Sequence, residues 1–97
     1  MKYVKEYDAF MSAWGYQAQA ITAIEEMSEL TKELCKLERS RGNAEKQKLV
    51  VQNIKEEIAD VLNMTEQLQR YFGEDEIEAI RKQKIERTVK RLQGDKL

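Results

Sequence analysis

The chain has no proline, no histidine, one cysteine and only four glycines in 97 residues. Without proline, nothing in the backbone chemistry interrupts long helices. One cysteine and no histidine exclude an internal disulfide, a Cys/His zinc site and Cys–His nucleophilic catalysis. No apolar run approaches the ~20 residues that a membrane-spanning helix requires. The opening MKYVKEYDAF carries acids and aromatics where a signal peptide would have an apolar core. The expectation is therefore a cytoplasmic protein with no membrane partner, its thiol reduced. Excess positive charge is also missing. A formal net charge of −1 cannot neutralise a phosphate backbone, so nucleic acid is not an expected partner.

What remains is 36% charged and 41% apolar residues, the mix of helices with one wet face. A chain this short is expected to form one domain, 1–97, that buries about 60–65% of its unfolded surface, so that oligomerisation is a natural supplement. Gly15, Gly42, Gly73 and Gly94 fall where the apolar periodicity breaks. The spacing predicts an all-α helical bundle: a short helix over about 2–13, two long helices over about 16–40 and up to about 72, and a last one over about 74–93. The connection at Arg41-Gly42-Asn43 is short, which makes the two long helices an antiparallel hairpin. Glu74, Asp75 and Glu76 suit the positive end of the last helix. Core stripes at i, i+3/i+4, i+7 are expected from Ile21, Ile24, Met27, Leu30, Leu34 and Leu37 on the first long helix. Val51, Ile54, Ile58, Val61, Leu62, Thr65, Leu68 and Phe72 supply the second.

One hexad occurs twice in chemical type. Glu25-Glu26-Met27-Ser28-Glu29-Leu30 and Glu56-Glu57-Ile58-Ala59-Asp60-Val61 both read acid, acid, apolar, small, acid, apolar, 31 residues apart. Residues i and i+3 share a helix face, so Glu26/Glu29 and Glu57/Asp60 are carboxylate pairs beside the core stripes. Counted outward from Gly42, Glu29 comes 13 residues before and Glu57 15 after, while Glu26 and Asp60 stand at 16 and 18. The levels match within about 3 Å. Four carboxylates converging without a cation would repel, and a divalent metal resolves the conflict. Oxygen-only ligands select Mg²⁺, with Mn²⁺ as a substitute. A single acid pair of this spacing is ordinary on a solvated helix face; the doubled, level-matched pattern is what carries weight.

Lys84, Arg87 and Arg91 recur on one face of the last helix, with Arg81, Lys82, Lys90 and Lys96 around them. Ile77, Ile80, Ile85, Val89 and Leu92 mark the side expected to pack. Such cations are a solubilising stripe taken singly, and a clamp for polyphosphate oxygens taken together beside a metal. Tyr3, Tyr7, Phe10, Trp14 and Tyr16 crowd the start of the chain as core, interface or a wall on which a base stacks. Gln19, seven residues before Glu26, shares its face and can reach a base edge.

Glu25-Glu26-Met27-Ser28-Glu29 followed by Glu57-Ile58-Ala59-Asp60 resembles the MazG-like branch of the all-α nucleoside triphosphate pyrophosphohydrolases. The lead-in Trp14-Gly15-Tyr16-Gln17-Ala18-Gln19 and the trailing Lys84-Ile85-Glu86-Arg87, Arg91-Leu92 extend the likeness. The resemblance implies Mg²⁺-dependent hydrolysis of a (deoxy)nucleoside triphosphate to the monophosphate and pyrophosphate. It implies Glu26, Glu29, Glu57 and Asp60 as metal ligands, and Glu25, Glu29 and Lys84 as the catalytic set. Lys84, Arg87, Arg91, Trp14 and Gln19 would contact substrate, in a homodimer or homotetramer. Water would attack the α-phosphorus in line, with Glu25 or Glu29 accepting its proton. Phosphoribosyl-ATP pyrophosphohydrolase, a related helical fold, is the rival within enzymes; a non-catalytic helical oligomerisation module is the rival outside them.

Overall fold

Every break between helices falls on or beside a glycine. In the computed structural model, which describes residues 1–95, the helices are α1 (Val4–Trp14), α2 (Tyr16–Arg39), α3 (Ala44–Phe72) and α4 (Glu74–Asp95). No strand occurs among the described residues, and Lys96 lies outside them. Gly15 and Gly42 both have φ of 85°, a left-handed setting that a Cβ disfavours, so the chain turns at these points and resumes as helix. At the α2–α3 turn the Asn43 side chain accepts from the Lys46 backbone N–H at 3.1 Å, an N-cap that starts α3. The periodic reading placed all four helices within one or two residues of their observed ends.

α2 and α3 pack along one another, and this hairpin is the main contact of the fold. Its seam is built from Gln19, Ala23, Glu26, Leu30, Glu33 and Leu37 on α2. Val50, Ile54, Glu57, Val61, Met64 and Gln67 face them from α3, and all twelve are buried or half-buried. Successive seam residues are three or four apart, the spacing that keeps one stripe of each helix facing a partner.

The seam differs from the expected stripes. Leu30, Leu37, Ile54, Val61 and Leu68 do face inward, but Ile21, Ile24, Met27 and Leu34 are exposed on α2. Val51, Ile58, Leu62, Thr65 and Phe72 are exposed on α3. The physical reason is the width of the apolar stripe. At ~100° per residue, it spans far more than one seam can cover, and the hairpin closes along its acidic edge. The apolar row of α4 is corrected in the same way: Ile77 is half-buried, whereas Ile80, Ile85, Val89 and Leu92 are exposed.

α1 lies across α3 and the start of α2, while α4 touches α3 alone. Buried Tyr7 anchors α1: its hydroxyl donates to Glu66 Oε1 at 2.6 Å and lies 3.3 Å from Asn63 Oδ1. Burial, and then the neighbouring Glu66 carboxylate, push the Tyr7 phenol far above its ordinary pKa, so it stays a donor at any physiological pH. Arg70 joins three helices, donating to Asp8 of α1 (Nη2–Oδ2 2.7 Å, Nε–Oδ1 3.2 Å) and to Glu74 of α4 (2.9 Å). At the same end, Tyr16 of α2 stacks on Tyr71 of α3 with centroids 4.7 Å apart.

The result is open. The radius of gyration is 17.1 Å, against about 12.5 Å for a compact chain of this length. The buried apolar side chains are Tyr7, Ala23, Val50, Ile54 and Met64. With so little core, the polar anchor of α1 matters to stability. Tyr7→Phe is expected to lower the free energy of unfolding by about 1–2 kcal/mol, read from urea denaturation. An unchanged midpoint and slope would show that the hydroxyl does not hold α1 in place.

Candidate functional site

Three acids of the repeated hexads meet across the hairpin seam. Carboxylate oxygens of Glu26 on α2 and of Glu57 and Asp60 on α3 all lie within 4.8 Å of one another. The seam puts Glu26 and Glu57 directly between the helices, and Asp60 one turn further along α3 turns in beside them. Glu26 and Glu57 are half-buried and Asp60 is exposed. Glu57 Oε2 is buried and has no hydrogen-bond partner. A carboxylate oxygen in that position, with two further carboxylates beside it, lacks the donors that normally offset loss of water.

The electrostatic consequence appears at Glu26. Burial, then the charges of Asp60 and Glu57, raise its carboxyl pKa above the ordinary 4.5. A divalent cation relieves both problems. The donor set is all oxygen, with neither histidine nor a neighbouring thiol, which fits hard Mg²⁺ or Mn²⁺ rather than zinc or iron.

The fourth expected ligand stands apart. Glu29 is exposed and is not in the group, because the seam turns Glu26 toward both α3 acids at once and leaves Glu29 a turn away on the rim. Glu25 is likewise an exposed residue of α2. A buried acid outside the group, Glu33, lies two turns from Glu26 and pairs with Lys36 at 3.2 Å, its Oε2 unpartnered.

Beside the carboxylates opens a cavity of ≈ 640 Å³ between α1 and the hairpin, with Glu26 and Asp60 in its lining. This volume accommodates a small organic ligand the size of a nucleoside. Phe10 and Trp14 of α1, stacked with centroids 5.5 Å apart, form one wall. Polar groups line the other: Thr22 and Gln19 from α2, Asn63 and Gln67 from α3. Gln19 donates to Gln67 Oε1 at 2.8 Å, and Gln67 donates to the Asn63 carbonyl at 3.1 Å, so these buried amides are held in fixed positions. Trp14 and Gln19 both line this cavity.

Phe10 belongs to the N-terminal aromatic set, and Thr22, Asn63, Met64 and Gln67 join the site only through the fold. Asn63 and Gln67 follow Asp60 at i+3 and i+7, a spacing that marks them as continuing the acidic face. Lys84, Arg87 and Arg91 are not brought to the site. They lie on the exposed part of α4, which touches neither α1 nor α2.

Comparison with protein families, with characterised proteins and with solved structures finds no match to the chain. Any function must therefore be read from the carboxylates and the cavity.

Because Glu26 holds its proton more tightly folded than unfolded, its stability contribution is complete at low pH. It is lost as pH rises through the range above 4.5. In EDTA, the melting temperature of the wild type relative to Glu26→Gln is expected to fall as pH rises from about 4.5 toward neutrality. The difference between the two proteins removes the opposite contributions of Asp8 and Glu78. Arg70 holds the first below the ordinary carboxylate range, and Gln69 with Arg81 holds the second there. At neutral pH, Mg²⁺ is expected to raise the wild-type melting temperature as RT ln(1 + [L]/Kd), and to act weakly on Glu57→Gln. Equal responses of the two proteins would contradict a shared ion.

Proposed function

We propose that the chain is a Mg²⁺-dependent nucleoside triphosphate pyrophosphohydrolase of the MazG-like kind, working in the cytoplasm as a homodimer or homotetramer. The observation that carries this reading is the buried, unpartnered Glu57 oxygen within a group of three converging carboxylates, two of which, Glu26 and Asp60, line a cavity walled by stacked aromatics and fixed amides. Glu26, Glu57 and Asp60 would hold the metal. When bound, such an ion polarises phosphoryl oxygens and eases deprotonation of water beside it.

The chain's own residues supply the rest. Phe10 and Trp14 give the base an apolar face to stack on, and the Gln19, Asn63 and Gln67 amides offer donors and acceptors to its edge. Seating the base there directs the triphosphate toward Glu26 and Asp60, which line the same cavity. Glu29, one turn from Glu26 and uncommitted to the cluster, accepts the proton of the attacking water, with Glu25 as the alternative acceptor. The new bond joins water oxygen to the α-phosphorus, and the bond to the α–β bridging oxygen breaks. Pyrophosphate leaves with that electron pair; Lys84, Arg87 and Arg91, which α4 holds away from this site within one protomer, would meet its charge from another subunit of the oligomer.

The exposed apolar faces also fit a helical oligomerisation module without chemistry. That reading gives no reason for two acids in a helix seam with a third turned in beside them, one with an orphaned oxygen.

The test is incubation of the purified chain with each of the eight common (d)NTPs and Mg²⁺, with separate detection of pyrophosphate and orthophosphate. Pyrophosphate and the monophosphate are expected in equal amounts. Glu57→Gln and Asp60→Asn should each reduce turnover by at least about 100-fold, with the circular dichroism spectrum unchanged. Orthophosphate as the first product, or no product from any of the eight, contradicts the proposal.

A further inference from the structure

The polar wall of the cavity beside the carboxylates has a direction. Which end of a side-chain amide is left for a ligand follows from the fixed donors and acceptors around its other end. The fixed point here is the backbone carbonyl of Asn63, which can only accept. Gln67 Nε2 donates to it at 3.1 Å and lies 3.6 Å from the Met64 sulfur, a weaker acceptor. The Gln67 nitrogen is thereby committed, and its Oε1 faces Gln19. Gln19 meets that oxygen with its own nitrogen, Nε2 to Oε1 at 2.8 Å. The end of Gln19 left for the cavity that it lines is its oxygen. Both glutamines are buried, at 6% and 3% exposure, so turning either amide over would set acceptor against acceptor where water cannot intervene.

Two neighbours are set the same way. Thr22 donates its hydroxyl proton to the Ala18 carbonyl at 3.0 Å, so it offers the cavity only lone pairs. The Tyr7 hydroxyl has one proton, and the 2.6 Å bond to Glu66 takes it. Asn63 reaches that hydroxyl at 3.3 Å, and the contact is bonding only when the amide nitrogen is turned to it and donates to the Tyr7 oxygen. Asn63 then turns its own oxygen away from Tyr7, which stands outside the cavity that Asn63 lines. Gln19 and Asn63 each keep a second N–H, held at the ends turned to Gln67 and Tyr7.

Three side chains from two helices thus present oxygens between the aromatic wall and the carboxylates. Such an edge attracts N–H donors and repels carbonyls. An exocyclic amine brings two N–H donors on one nitrogen. The oxo group in its place is an acceptor and would meet its like.

We propose that this acceptor wall makes the cavity select bases carrying an exocyclic amine, cytosine and adenine, over their oxo counterparts, uracil and hypoxanthine. Gln19, Thr22 and Asn63 contact the amine. Gln67 is a positioning residue in this selection, because it acts by turning Gln19. The selection rests on the cavity being the base site of the proposed hydrolase.

The first measurement needs no hydrolysis. The indole N–H resonance of Trp14, the only tryptophan and part of the cavity wall, is followed by NMR during titration with deoxycytidine and, separately, deoxyuridine. Deoxycytidine is expected to reach its midpoint at a concentration at least about tenfold lower. Equal midpoints, a preference for deoxyuridine, or no shift with either nucleoside overturns the proposal. Gln67→Met keeps the volume but frees Gln19 to turn either end to the base, and should bring the two midpoints within about threefold. A merely loosened cavity would weaken both nucleosides alike and leave their ratio unchanged. If Gln67→Met fails to fold by circular dichroism, Gln19→Met, which removes the oxygen itself, is expected to do the same. A tenfold ratio retained in the folded variant overturns the role given to these amides.

The second measurement is kcat/KM for pyrophosphate release, dCTP against dUTP and dATP against dITP. The amino member of each pair is expected to lead by at least about tenfold, and parity overturns the selection. Should the wild type release no pyrophosphate from any of them, the hydrolase reading fails, while the nucleoside titration still decides the preference of the cavity.

Discussion

Like charge in a helix seam is the constraint on which this structure turns. Glu26 and Glu57 occupy positions where an ordinary hairpin would place leucine, and Asp60 turns in beside them. Apolar residues of similar size would usually stabilise such a seam as well or better. Burial and mutual repulsion already push Glu26 toward its protonated form, and Glu57 leaves one oxygen without a donor. A shared cation would turn that repulsion into a tie between α2 and α3. In this view, folding energy and ligand binding act at the same three side chains.

The position of the seam has consequences for the rest of the chain. By closing on its acidic edge, the hairpin turns Ile24, Met27, Val51, Ile58 and Leu62 outward, and it leaves the opposite shoulder free for α1. Tyr7 and Arg70 then fix α1 through polar contacts to α3, not through a large apolar interface. The gap between α1 and the seam becomes the cavity, with its aromatic wall on α1 and its amide wall on the hairpin. One choice of register thus sets the acid cluster, the cavity beside it and the apolar face behind it.

Much of this was legible in the sequence. Glycines at 15, 42 and 73 gave the helix boundaries because no proline or strand-forming run competes with them. The doubled hexad pointed to four acids, of which the fold brings Glu26, Glu57 and Asp60 together, since helix phase and a short turn between equal arms fix which residues meet. The inward register was not legible. When an apolar stripe is wider than one seam, periodicity shows that it will be covered but not which part is covered within the chain. For the same reason Glu29 was grouped with Glu26, although only the latter faces α3. Asn63 and Gln67 carried a detectable phase relation to Asp60, but amides on a helix face are too common to stand out. The departure of α4 had no local signal, because its apolar row reads the same whether it packs on its own hairpin or on another.

The most direct test of the shared cation is a crystal grown in Mn²⁺, with anomalous scattering recorded at the manganese edge. A peak is expected between α2 and α3, with oxygens of Glu26, Glu57 and Asp60 at about 2.1–2.2 Å. The Glu57 oxygen that otherwise has no partner should be among them. Absence of a peak at saturating Mn²⁺, with the three carboxylates turned apart into solvent, would contradict the account.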